Sequence, residues 1–326
     1  MIDWRTIIAM SGLLLISTGL EQSGYFDEVV ERHASRFRNE RKMAFFFVLL
    51  SFFLSTFLTN DVALFIVVPL TLAFGRGPGA DTGKLIVFEA LAVNSGSAIS
   101  PIGNPQNIYL WRFSGLSSLS FLIAMLPLGI LLFSVLILFT FLSFHDRETS
   151  PVPLERTGVA RPLLYASALF LPAFIISLEL GYGLILLALL LIVYSLVPSF
   201  RGSVRKADWA LIALFILMFL DFGLLASMPG MGSLGSAISS SPFLYSALLS
   251  QFMSNVPSAI FVSSFSSDWK AIAYGANVAG NGLVIASMAN IIALRLAKRP
   301  LLREFHRYSI PFFAVTFTVL LLAKLF

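Results

Sequence analysis

The chain has no cysteine among its 326 residues, which excludes disulfides and thiolate metal sites and leaves its redox compartment unreadable. Histidine is nearly as scarce. His33, His145 and His306 all fall in basic stretches and no His-Glu-x-x-His run exists, so neither a metal centre nor a zinc hydrolase is expected. Charge is thin as well, at 12% of residues against about 25% in an ordinary soluble domain. What is present is apolar: 57% of the chain is hydrophobic, and Phe alone contributes 32 residues. A soluble core of this size cannot hide so much apolar surface, so lipid is the expected solvent. A net charge of +5 would suggest nucleic acid in a soluble protein. Here an excess of Lys and Arg fits cytoplasmic loops, and neither a nucleic-acid partner nor a cofactor is expected.

Apolar stretches of roughly 20 residues can cross a bilayer. Residues 4–20, 119–144, 209–226 and 309–326 read as crossings, with shorter spans at 162–178 and 182–197. The first stretch lacks a basic leader and is followed by more of the same, which reads as a crossing rather than a cleaved signal. Four further apolar segments carry interruptions. Segment 43–74 is broken at Thr59-Asn60-Asp61, and segment 86–113 at Ser100-Pro101-Ile102-Gly103-Asn104-Pro105. Segment 243–265 is broken at Ser254-Asn255-Val256-Pro257, and segment 271–296 at Gly280-Asn281-Gly282. The polar, proline-bearing stretch 145–161 is the clearest loop.

The list of segments repeats itself. Asp3-Trp4 heads a span and so does Asp208-Trp209; the break at Asn60 answers the one at Asn255. Residues 94–108 then match 277–291 at one constant offset, pairing Asn94 with Asn277, Ile102 with Ile285, Asn107 with Asn290 and Ile108 with Ile291. Loop charge sets the topology. If segments 43–74 and 243–265 are re-entrant hairpins, all 22 Lys and Arg residues fall on one side except Arg5, Arg112, Lys270 and Lys324. If each segment crossed once, the split would be even, so the hairpin arrangement satisfies the positive-inside rule. The expectation is an all-α polytopic membrane protein with about eight crossings, in the cell membrane, with both termini outside and the basic loops cytoplasmic. It is built from two inverted repeats, residues 1–144 and 162–326, joined by a cytoplasmic linker at 145–161.

Matched interruptions in inverted repeats point to a transporter's midplane site, because irregular backbone at membrane depth survives only where it is buried in protein or lines a water-filled cavity. The candidate substrate and ion ligands are therefore Thr59, Asn60 and Asp61 at the first tip, and Ser254, Asn255 and Val256 at the second. Asn94, Ser95, Gly96, Ser100, Gly103 and Asn104 would form one wall, with Asn277, Gly280, Asn281 and Gly282 forming the other. Asp61 is a carboxylate at membrane depth, which suits ion coupling, although an Asp there can simply cap the helix that begins at Val62. Asp221, inside an apolar span, is the second coupling candidate or else an interhelical hydrogen-bond partner. Glu89 and Glu179 read as interfacial, and Arg112 as a snorkelling anchor beside Trp111. No Lys or Arg falls near the breaks, so an anion would be held by amides, helix N-termini and a co-bound cation.

The runs Thr-Asn-Asp-Val-Ala at 59–63, Ser-Gly-Ser-Ala-Ile-Ser-Pro-Ile-Gly-Asn-Pro-Gln-Asn at 95–107 and Ser-Asn-Val-Pro at 254–257 resemble the ion transporter superfamily. That group holds arsenite permeases, sodium/proton antiporters of the NhaD type, and citrate or dicarboxylate carriers. The resemblance spans nearly the whole chain. It implies a substrate held between two hairpin tips, with Na+ bound at the Asn60 and Asn255 tips, and it leaves a homodimer open. Asp61 stands where the dicarboxylate carriers have a hydroxyl and is similar to the Asn-Asp pair of arsenite permeases. The family repeat carries two helices ahead of the Asp-Trp span; the second half has them and the first does not, which reads either as a reduced member or as a chain that begins late. The expected activity is secondary active transport of a small anion, an arsenite-like oxyanion or a di- or tricarboxylate, coupled to H+ or Na+. A sodium/proton antiporter is the alternative.

Overall fold

A computed structural model describes residues 2–34, 39–74, 81–148, 158–297 and 299–326. Arg36, Arg38, Arg76, Arg156 and Lys298 from the loop-charge argument, and most of the linker, lie outside the described residues. Among the described residues the protein is all helix, apart from one isolated antiparallel bridge between Asn39 and Glu148.

The first half holds α1 (Trp4–Gln22), α2 (Tyr25–Ala34), α3 (Glu40–Phe57), α4 (Asn60–Phe74), α5 (Thr82–Ser97), α6 (Pro105–Ser114) and α7 (Ser118–Ser143). The second holds α8 (Arg161–Glu179), α9 (Gly183–Leu196), α10 (Arg201–Lys206), α11 (Trp209–Ala226) and α12 (Met231–Ser240). It continues through α13 (Pro242–Met253), α14 (Asn255–Ser263), α15 (Trp269–Ala279), α16 (Met288–Leu296) and α17 (Leu302–Ala323). The starts are written locally. The Asp3 carboxylate accepts from the N–H groups of Arg5 and Thr6 to cap α1, and Asp208 accepts from Leu211 to cap α11. Asp81 and Asp268 do the same for α5 and α15, through the N–H groups of Lys84 and Ala271. The Gly/Ser-rich stretch before Pro242 forms α12.

Among the described residues four helices, α7, α8, α11 and α17, are long and apolar enough to cross a membrane. Their outward faces carry large apolar side chains such as Leu169 (71% exposed) and Leu322 (77%), as a lipid-facing surface requires. The protein is a multi-pass membrane protein. By contrast, α1 is buried at nearly every position from Thr6 to Leu20, and α5 is buried from Gly83 to Ser97. A helix apolar all round and buried all round is a core element.

Packing divides the helices into two groups. Helices α8, α9, α10 and α11 gather around α1. The other group interlocks α3, α4, α5 and α7 with α13, α14, α15, α16 and α17, with α6 lying against α14 and α15. Contact between the groups runs mainly through α1 against α4 and α6, and through α11 against α14. The α3–α4 pair is separated only by Leu58 and Thr59 and packs along α5; the α13–α14 pair, separated only by Ser254, packs along α15 in the same way.

Glu89 departs from its expected place. It is not interfacial but fully buried within α5, against which α3, α4, α7, α16 and α17 all pack. Arg112 does lie beside Trp111, 5.5 Å from its ring, and donates through Nη1 to the Leu178 carbonyl at 3.2 Å.

Candidate functional site

The helix breaks are built by local chemistry. Pro105 at the first turn of α6 needs no N–H partner there, and Asn104 Oδ1 caps that helix by accepting from the Asn107 N–H at 2.9 Å. Asn107 Nδ2 in turn donates to the carbonyls of Ser97, Ala98 and Ser100, at 3.2, 3.0 and 3.0 Å. The carbonyls freed where α5 stops are thus satisfied by one side chain, which hydrocarbon could not do. The first tip is joined to this break by the Asn60 N–H, which donates to the Gly103 carbonyl at 2.8 Å.

The second break is longer than the sequence suggested, running from Gly280 to Ser287 with a 3-10 turn at Val284–Ala286 inside it. Gln251 on α13 serves it. Its Oε1 accepts from the Leu283 N–H at 2.8 Å, and its Nε2 donates to the Ala279 carbonyl at 3.1 Å. Asn290 Nδ2 donates to the Gly280 carbonyl at 2.8 Å. Ser254, at the second tip, has φ 73° and ψ 157°, a backbone region that is essentially reserved for glycine.

The two breaks are stitched together by amides. Asn94 Nδ2 donates to Asn290 Oδ1 at 2.7 Å and to the Gly280 carbonyl at 3.0 Å, while Asn94 Oδ1 accepts from the Ser287 hydroxyl at 3.0 Å. Asn277 Nδ2 donates to Asn107 Oδ1 at 2.7 Å, and Asn277 Oδ1 accepts from Asn104 Nδ2 at 2.9 Å.

In front of this network lies a small, partly open cleft. From the tips it is lined by Asn60, Asp61, Ser254, Asn255 and Val256, and from the breaks by Pro105, Gln106, Ser287 and Met288. Leu211, Leu214, Phe215 and Met218 of α11 form the opposite, apolar wall. Among the described residues no Lys or Arg lines it. Three buried oxygens at or beside the cleft have no hydrogen-bond partner: Thr59 Oγ1, Asp61 Oδ1 and Gln106 Oε1. Such oxygens suit a small hard cation or the hydroxyl of a ligand. Among the described residues no group of three His, Asp or Glu is placed to hold a metal ion.

The expected site residues therefore separate into two sets. Five of the six tip residues line the cleft and Thr59 does not, whereas Asn94, Asn104, Asn277 and Gly280 belong to the network behind it. Gly96 and Gly103 serve packing. A Cβ on Gly96 would stand 2.0 Å from the Phe52 carbonyl oxygen, and one on Gly103 would stand 2.5 Å from that of Ser97. A Cβ on Gly282 would strike Gln251. The Ser100 hydroxyl accepts from the Ile102 N–H at 3.2 Å. The hydroxyl of Ser95 and the whole amide of Asn281 are buried without partners. Asp221 is not among the cleft residues; it is exposed on α11, one turn beyond Met218. Sequence reasoning missed Gln106, Gln251, Ser287, Met288 and the α11 wall. Ser287 was within reach, since it answers Asn104 at the same offset that pairs Asn94 with Asn277. Gln251 stands one turn before Ser254 in an apolar helix, a signal of the same kind as the asparagines.

Residues 1–266 match a family described as a citrate transporter. The chain is 42% identical over 316 residues to Inner membrane protein YbiR of Escherichia coli, covering 95% of this chain and 84% of that protein. It is 33% identical over 302 residues to the uncharacterized transporter MJ0456 of Methanocaldococcus jannaschii, covering 91% and 82%. A shorter match, 25% identical over 143 residues, is to a putative transporter arsB of Dictyostelium discoideum and covers 43% of this chain and 25% of that one.

Proposed function

The chain belongs to the citrate transporter family, a membrane transporter and not an enzyme, and we propose that it is a secondary active transporter moving a small anion by alternating access. One observation carries the reading. The two tips at Asn60 and Asn255, far apart in sequence, line one cleft together with a carboxylate and several unpartnered oxygens. In this reading the α3–α4 and α13–α14 pairs are re-entrant hairpins of two inverted repeats, and α5/α6 and α15/α16 are the unwound helices. The substrate is an arsenite-like oxyanion or a di- or tricarboxylate. Asn60 and Asn255 hold it at the tips, Asp61 couples H+ or Na+, and Thr59 and Gln106 supply further oxygen ligands to the ion. Asp221, outside the cleft, stands second to Asp61 as a coupling group. The hairpin-bearing group moves against the α1, α8–α11 group, which presents the apolar wall of α11 to the tips. The basic loops face the cytoplasm and both termini the outside.

A second reading, a sodium/proton antiporter, is favoured by one feature: the cleft holds Asp61 but no basic residue to balance an anion. Tracer flux into proteoliposomes under imposed proton or sodium gradients, with citrate, dicarboxylates and arsenite in turn, separates the two. Gradient-driven accumulation of one anion is the expected result. Exchange of sodium for protons with no anion movement would transfer the assignment to the antiporter.

A further inference from the structure

Glu89 is a buried carboxyl that the cleft does not use. It sits in α5, seven residues after Thr82, or about 10 Å along the helix at 1.5 Å per residue. The side chain is fully buried. The Thr71 hydroxyl of α4 donates to its Oε1, and its Oε2 has no partner at all. Among the described residues no cation balances it. Lys84, on the same helix, is committed to Glu40 at 3.2 Å, to the Ser143 carbonyl at 3.1 Å and to the Phe144 ring.

The other charged and titratable groups on helices packed against α5 are equally engaged or remote. Arg41 of α3 donates to the Phe144 carbonyl, and Lys42 stands with it at the start of that helix. On α4, Asp61 faces the cleft. Arg295 is in the last turn of α16. On α17, Arg303, Glu304, His306 and Arg307 occupy the first turns, and the Tyr308 ring packs on Phe88. Lys270 and Tyr274 of α15 bond to the Leu325 and Ala124 carbonyls. None of them forms an ion pair or a hydrogen bond with Glu89.

Packing does not call for an acid at this position. At the constant offset that pairs Asn94 with Asn277, Glu89 answers Ile272 on α15, which is equally buried. An aliphatic side chain fills the matched place in the other half. An ionised carboxylate without a counter-charge is costly in such an interior, so an acid kept there is functional by default.

We propose that Glu89 is a proton-binding site of the transport cycle, separate from the cleft and set in the seam between α4 and α5. In the packed arrangement the carboxyl holds its proton. When α4 parts from α5 far enough for water to reach the seam, the O–H bond breaks, the proton passes to water, and the carboxylate is hydrated. Thr71 lies three residues from the end of α4, about 4.5 Å along the axis, so the path to the loop side is short. The link to transport rests on the transporter reading above; the protonation itself does not.

The test uses full-length protein in proteoliposomes, with Glu89→Gln and Thr71→Val. Infrared spectra of wild type minus Glu89→Gln, titrated from acid to alkaline pH, are expected to contain a protonated-carboxyl band that is lost at high pH. Thr71→Val, which keeps the acid, is expected to shift that band, and it serves alone if Glu89→Gln does not fold. With labelled citrate as the probe, Glu89→Gln is expected to exchange citrate across the membrane at the wild-type rate but to lose proton-driven accumulation. A carboxyl band that never titrates, no band at all, or undiminished accumulation by Glu89→Gln would each overturn the proposal. If the wild type moves no citrate, the transport reading is at fault and the infrared titration alone decides Glu89.

Discussion

Asn94 donates to Asn290 Oδ1 at 2.7 Å, and the same bond recurs from Asn277 to Asn107 at 2.7 Å. Under the offset that pairs Asn94 with Asn277 and Asn107 with Asn290, each bond becomes the other. Two further bonds exchange in the same way. Ser287 to Asn94 answers Asn104 to Asn277, and Asn290 to the Gly280 carbonyl answers Asn107 to the Ser97 carbonyl. Each half thus uses its asparagines to satisfy the broken backbone of its own half and to bind the other. This supports the reading of two repeats related by a pseudo-two-fold axis.

Asn94→Ala is expected to destabilise the protein by roughly 2–4 kcal/mol, because it strands Asn290 Oδ1 and the Ser287 hydroxyl in a buried site. Thermal unfolding in detergent measures it. The Asn94→Ala/Asn290→Ala double variant should lose clearly less than the sum of the two single variants, since both belong to one network. Strict additivity would mean that the amides act independently.

Asn60→Ala and Asn255→Ala should abolish uptake while leaving expression and the elution profile of the purified protein intact. Both side chains line the cleft, and neither belongs to the amide bridge between the halves. Unchanged uptake in either variant would remove that tip from the substrate site.

Gly96→Ala should prevent normal folding, since its new methyl would stand 2.0 Å from a backbone oxygen of α3 that cannot move aside. Overpacking of this kind costs about 1–3 kcal/mol or more. Gly202→Ala is the control: nothing lies within 4 Å of its Cβ position, and it sits in α10. It should gain about 0.5–1 kcal/mol from helix propensity. Yields of monodisperse protein for the pair decide the point.

Ser254→Gly should raise the unfolding temperature, by relief of about 1–3 kcal/mol of backbone strain at the tip. Ser254→Ala keeps the strain and removes the hydroxyl. A Ser254→Gly variant that is stabilised yet impaired in uptake would assign a functional role to the hydroxyl; one that is not stabilised would remove strain from the account of the tip.

The sites of the helix breaks were legible because their causes are local. Pro105 lacks an N–H, Gly280 and Gly282 favour a break, and Asn104 and Asp208 cap the helices that follow them wherever those helices go. Membrane residence was legible from composition alone, since so much apolar surface with so little charge has no soluble solution. Of the expected crossings, those at 119–144, 162–178, 209–226 and 309–326 correspond to α7, α8, α11 and α17, helices long and apolar enough to span, while the second break extends to Ser287.

The sequence by itself therefore determined the solvent, the breaks and the asparagines that mend them, all of which follow from the chemistry of a few neighbouring residues. Tertiary structure decided which of those asparagines face the cleft and which hold the two halves together. It also decided that Leu211, Leu214, Phe215 and Met218, rather than their lipid-facing neighbours on α11, form the far wall. A helix that is apolar on every face carries no periodic signal to say which face meets protein and which meets lipid. For the same reason Glu89 read as interfacial near the start of an apolar segment: only the packing of α3, α4 and α17 around α5 put it in the dry interior.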